Sequence, residues 1–94
     1  MQIHLKSNFM LLGDADIDSI EFDSPEITLK ELLDTISRRA ANSPRFLNRD
    51  GTDLNIGWVV EVDGRSFDLC EKGVDTILND GAKVIINIEM LGGG

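Results

Sequence analysis

One stretch of this chain has helical periodicity. Leu29, Leu32, Leu33, Ile36 and Ala40 recur at the spacing that lines up side chains on one helix face. Thr28 stands where a cap belongs, and Glu31 three residues later completes a capping-box pattern. Ile27, just before the cap, is placed to staple against Leu32. Arg38 and Arg39 suit the negative end of the helix dipole, and the helix is predicted to end near Ala40. A lone helix of this kind must bury its stripe against a sheet, and it can cover only one face of it.

The sheet is written in period two. Ile3, Leu5 and Phe9 alternate with Gln2, His4 and Lys6 over residues 2–9. Leu12 to Asp18 is rich in turn formers and reads as a hairpin loop, after which Ile20 and Phe22 alternate with Glu21 and Asp23. Ser24-Pro25 ends that strand. Residues 42–55 form a long connection in which Phe46, Leu47 and Leu54 are expected to tuck under the edge of the core. In "IGWVVEV", Ile56, Trp58, Val60 and Val62 are predicted on one face, with Val59 and Glu61 on the other. Asp63-Gly64 is a tight-turn pair, and "RSFDL" reads as a short fourth strand. Residues 69–83 are irregular, with one helical turn expected from Asp75 to Leu78. Asn79-Asp80-Gly81 turns the chain into "KVIINIEM", the last strand. There Val84, Ile86, Ile88 and Met90 face one way, and Ile85, Asn87 and Glu89 the other. Its run of β-branched residues predicts a central position next to the first strand. The expected class is α+β: a mixed sheet of four to five strands with one main helix packed on one face. The uncovered face would carry Val59 and Ile85, and exposed apolar sheet surface often marks a docking site.

The chain has 94 residues, 41% of them hydrophobic, enough for one modest core. Seventeen acidic side chains against nine basic ones give a net charge of -8. Such a surface repels phosphate backbones, which argues against nucleic acid, and it favours a basic partner surface. No run approaches the roughly 20 apolar residues of a membrane span, and the first residues lack the signature of a signal peptide. The expected location is the cytoplasm.

No catalytic constellation emerges. His4 is the only histidine and lies on the polar face of the first strand. Cys70 is the only cysteine; Asp68, Glu71 and Lys72 around it nearly cancel, so it lacks the positive neighbourhood of a reactive thiol and reads as a structural or incidental residue. Asp14, Asp16 and Asp18 echo the opening of a calcium loop. Ser19 then stands where glycine is required and Pro25 where a bidentate Glu is required, so a solvated turn is the better reading. No metal site, cofactor or glycine-rich phosphate loop is expected.

What remains is the end of the last strand, "EMLGGG". Three glycines there are either a frayed end or the working part. Glycine leaves the backbone unrestricted and can thread a channel too narrow for a Cβ, with the terminal carboxylate open to attack. Leu91 to Gly94 can reach roughly 13 Å beyond a sheet. Ordering that tail on a partner costs about 1–2 kcal/mol per residue, to be offset by contacts of the folded surface.

Taken with the helix "TLKELLDTI", the stretches "VVEVDGRSFDL" and "LNDGAKVIINIEMLGGG" resemble the β-grasp sulfur carriers of the ThiS/MoaD family and their ubiquitin-like relatives. The specific part is the turn before the last strand and the glycine end. The resemblance implies a β-grasp domain over residues 1–91 and a tail over 92–94. It further implies a protein co-substrate, not itself an enzyme and monomeric when free. An ATP-using, ubiquitin-activating-like enzyme would adenylate Gly94. A persulfide would then supply sulfur, leaving a thiocarboxylate for a sulfur-accepting enzyme such as the large subunit of molybdopterin synthase. Gly93 and Gly92 would thread the partner, and Leu91, Met90, Ile85 and Val59 would contact it. The chain departs from the family in having three glycines instead of two, in Ala82 where a second acid is usual, and in Met90-Leu91 before the glycines. Its long 42–55 connection is similar to that of the ubiquitin-related modifiers of tRNA thiolation. A modifier attached to lysines, a carrier for thiamine or amino-acid synthesis, and a plain interaction module are the alternatives.

Overall fold

The computed structural model describes residues 1–7, 19–39 and 45–88. A five-stranded mixed sheet has the order β2-β1-β7-β4-β5, built from β1 (Gln2–Ser7), β2 (Ser19–Glu21), β4 (Trp58–Val62), β5 (Arg65–Ser66) and β7 (Lys83–Ile88). β7 lies in the middle, parallel to β1 and antiparallel to β4. This is where its β-branched run belongs, because a central strand is flanked on both edges and its inward side chains meet the helix.

α1 (Leu29–Arg39) crosses one face of that sheet. Leu29, Leu32, Leu33 and Ile36 are buried against Ile3, Leu5, Ile20, Val60, Val62, Val84 and Ile86, the inward positions of the strands. Each such side chain contributes about 1.5–3 kcal/mol on leaving water. The Thr28 hydroxyl accepts the Glu31 N–H at 3.2 Å, as a cap should. The reciprocal contact differs from the expected box: the Thr28 hydroxyl donates a hydrogen bond to the Glu31 carboxylate at 3.3 Å.

Several boundaries differ from the sequence expectation. A second, two-stranded sheet pairs β3 (Glu26–Thr28) with β6 (Ile77–Asn79), setting Ile27 opposite Leu78, both buried. The Leu29 N–H also donates to the Thr76 carbonyl at 2.8 Å, so this ladder anchors the start of the helix. The expected helical turn at Asp75–Leu78 is therefore displaced: a 3-10 turn occupies Gly73–Asp75, and the chain is already extended by Ile77. In "RSFDL" only Arg65 and Ser66 pair with β4, and Phe67–Leu69 coil into another 3-10 turn.

Ile56 is the clearest correction. It was expected on the buried face and is 85% exposed. Gly57 has φ +96°, which turns the chain between Ile56 and Trp58, so the alternation of β4 begins only at Trp58. Phe46 takes the inward place instead, at 2% exposure. It is laid into the core by a closed turn: Leu47 bridges Leu54, and the Asn48 side-chain oxygen accepts the Thr52 N–H at 2.9 Å. The Asn55 N–H returns to the Phe46 carbonyl at 2.8 Å. Phe9, the loop from Leu12 to Asp18 and Ala40 lie outside the described residues.

Candidate functional site

The candidate site is the run-out of β7, and the fold fixes where that strand starts. Asp63 sits in the left-handed region at φ 51°, followed by Gly64 at φ 83°, the geometry of a two-residue hairpin between β4 and β5. The Asp63 N–H donates to the Lys83 carbonyl at 2.8 Å, and its carboxylate accepts the Lys83 N–H at 2.9 Å. From the other side, the Asp80 carboxylate accepts the Gln2 N–H at 2.7 Å, and the Gly81 N–H donates to the Gln2 carbonyl. Gly81 has φ +85°, a conformation that glycine adopts without strain. The entry of the strand is thus held by two aspartates from opposite directions. Sequence reasoning read both as turn residues and missed the clamp; an Asp beside the Gly of each turn was the available signal.

From Val84 the strand is paired residue by residue with β4 until Ile88 meets Trp58. The Trp58 ring stands edge-on to Phe46, with centroids 4.6 Å apart and planes at 60°. So the last described residue, Ile88, is paired in the sheet with one member of an aromatic pair seated on the core. The predicted residues Met90, Leu91, Gly92, Gly93 and Gly94 lie outside the described residues.

Val59 and Ile85 are where they were expected, on the face away from α1. Val59 is opposite Asn87 and Ile85 opposite Glu61, which makes the two apolar residues diagonal neighbours. Val59 is 37% exposed and Ile85 half-buried. Lys6 is level with Ile85 on the far side, and His4 is level with Lys83, so charged and polar groups surround the pair. The face is an apolar spot in a polar field.

Of the other candidates, His4 and Cys70 stay apart from this strand end. His4 is exposed. The Cys70 thiol donates to the Ser66 carbonyl at 3.5 Å and lines an open cleft of about 550 Å³ with Val62, Arg65, Glu71, Lys72 and Ile77. Asp14, Asp16 and Asp18 lie outside the described residues. Among the described residues no group of three or more His, Cys, Asp or Glu could hold a metal ion, and no helix is long and apolar enough to cross a membrane.

No family model and no curated protein matches the chain. Solved structures do. The Haloferax volcanii protein HVO 2177 superposes with a TM-score of 0.74 at 21% identity, covering 99% of this chain and 87% of its own. Urm1 from Trypanosoma brucei gives 0.66 at 24% identity, over 98% and 95%. A chain of the BexX/CysO complex of Amycolatopsis orientalis gives 0.66 at 19% identity, over 97% and 99%. The chain has the β-grasp, ubiquitin-like fold of these neighbours.

Proposed function

We propose that this β-grasp chain is a sulfur carrier whose working group is the carboxylate of Gly94. The observation that supports it most is β7: a central strand, clamped at its entry and paired on both sides, that runs into "EMLGGG" with no linker between. A rigid sheet then aims a narrow, side-chain-free segment at a partner. Urm1 and CysO, among the structural neighbours, are ubiquitin-like sulfur carriers, which supports the same reading.

In this reading a ubiquitin-activating-like enzyme joins the Gly94 carboxylate to the α-phosphate of ATP and releases pyrophosphate. The acyl-adenylate is a mixed anhydride, so its carbonyl carbon is electrophilic. A persulfide attacks that carbon through its terminal sulfur and AMP departs. A thiol then cleaves the S–S bond, giving a disulfide and the thiocarboxylate. No side chain of this protein has to act as base or nucleophile, in keeping with its role as a co-substrate. Val59 and Ile85, with Met90 and Leu91, are the proposed contacts that offset the ordering of the tail. The proposed acceptor, on sequence resemblance, is a molybdopterin-synthase large subunit, and the proposed setting is the cytoplasm. The test is incubation with the cognate adenylating enzyme, ATP and a persulfide donor, followed by intact-mass measurement. Exchange of one oxygen for one sulfur at the C-terminal peptide is the expected result; an unmodified chain contradicts it.

A further inference from the structure

The nine cations of this acidic chain are not spread evenly. Lys30, Arg38 and Arg39 lie on α1, and Arg45 and Arg49 follow in the segment beside it. Between α1 and that segment is an open cleft of about 370 Å³, lined on the helix by Lys30, Asp34 and Ser37 and on the turn by Arg45, Arg49 and Asp50. A shallower depression adjoins it, sharing Asp34 and Ser37 and adding Arg38. The two together present four cations against two carboxylates, on a chain whose net charge is -8. Among the described residues the ion pair found joins the N-terminal amine to Glu21, and these cations take no part in one.

The cleft wall is built, not slack. Gly51, at φ +69°, presses close to the Lys30 side chain: a Cβ there would meet its Nζ at 3.1 Å. The Asn48 N–H donates to the Asp53 carbonyl at 2.9 Å, and the Gly51 N–H to the Asn48 carbonyl at 3.0 Å. This turn holds the backbone on either side of Arg49, while Phe46 roots it in the core.

We propose that this cleft is a docking site for an acidic peptide segment of a protein partner, its carboxylates seated among Lys30, Arg45 and Arg49. Guanidinium groups engage carboxylates in two parallel hydrogen bonds. The overall negative charge repels a long polyanion, but at physiological salt its field decays over about 8 Å, so a short acidic segment meets mainly the local cations. The site lies on the helix side of the sheet, away from Val59 and Ile85, and it stands whether or not Gly94 carries sulfur.

The test is an amide-resonance titration of the full chain with a glutamate-rich peptide, with a uridine oligonucleotide and inorganic phosphate as competing probes. The expected result is peptide-induced shifts at Lys30, Ser37 and 45–51, weakening as salt is raised. Binding should fall about tenfold in the Arg45→Glu/Arg49→Glu variant, since each exposed pair is modest alone. Lys30→Gln, which leaves the turn intact, should weaken it to a lesser degree. Absent shifts, shifts on the Val59 face, tighter binding of the oligonucleotide, or the same response to phosphate alone would each overturn the proposal.

Discussion

Asp63 grips Lys83 twice, donating its N–H to the Lys83 carbonyl and accepting the Lys83 N–H on its carboxylate, at 2.8 and 2.9 Å. A hairpin turn at one edge of the sheet thereby sets where the central strand begins. Asp63→Ala removes the carboxylate and leaves a residue with a Cβ in the left-handed region, where Asp and Asn are tolerated best. It is expected to lower stability by about 1–2 kcal/mol, and Asp63→Asn by less, in urea unfolding. Equal midpoints for wild type and Asp63→Ala would show that the grip contributes nothing.

The Phe46–Trp58 contact gives a second expectation. Phe46→Ala empties a buried aromatic site and should cost about 3–5 kcal/mol. Phe46→Leu should cost less and still shift the emission of Trp58, the only tryptophan, because its edge-on neighbour is gone. An unchanged spectrum in Phe46→Leu would contradict the contact.

Ile56 and Leu78 form a matched pair of opposites. Ile56→Ser should leave stability within about 0.5 kcal/mol of wild type, because the side chain is already 85% in water. Leu78→Ala, at a fully buried position, should cost about 2–5 kcal/mol by thermal or urea unfolding. Similar losses in the two variants would mean that β4 begins earlier than Trp58.

These two residues also show where sequence reading works. α1 and the strands β1, β4 and β7 were legible because each repeats its period several times, and a repeated pattern fixes which face is buried. Ile56 was misplaced because the alternation runs unbroken through Gly57 in the sequence, and only the positive φ of that glycine ends it. β3 and β6 were missed because three residues are too few to show a period; their pairing depends on Ile27 and Leu78 meeting across the chain. At the site, Val59 and Ile85 followed from alternation alone. The hold of Asp63 on Lys83 and of Asp80 on Gln2 did not, since each bond joins residues far apart in sequence. The cleft beside α1 went unread for the same reason.

Val59 should separate folding from association. Val59→Glu replaces an exposed apolar residue and is expected to change stability by no more than about 0.5 kcal/mol. It should weaken binding of the activating enzyme, seen as a rise in the carrier concentration that half-saturates pyrophosphate release. Unaltered saturation would remove the open sheet face from the recognition surface.

The role proposed for Gly94 is probed by deleting Gly92–Gly94. Wild type and truncated chain are each incubated with adenylating enzyme, ATP and a persulfide, and their intact masses compared. Wild type is expected to exchange one oxygen for sulfur at its C-terminus, while the truncated chain unfolds at the same urea concentration and gains nothing. Sulfur retained by the truncated chain, or absent from both under conditions where the enzyme loads another carrier, would contradict that role.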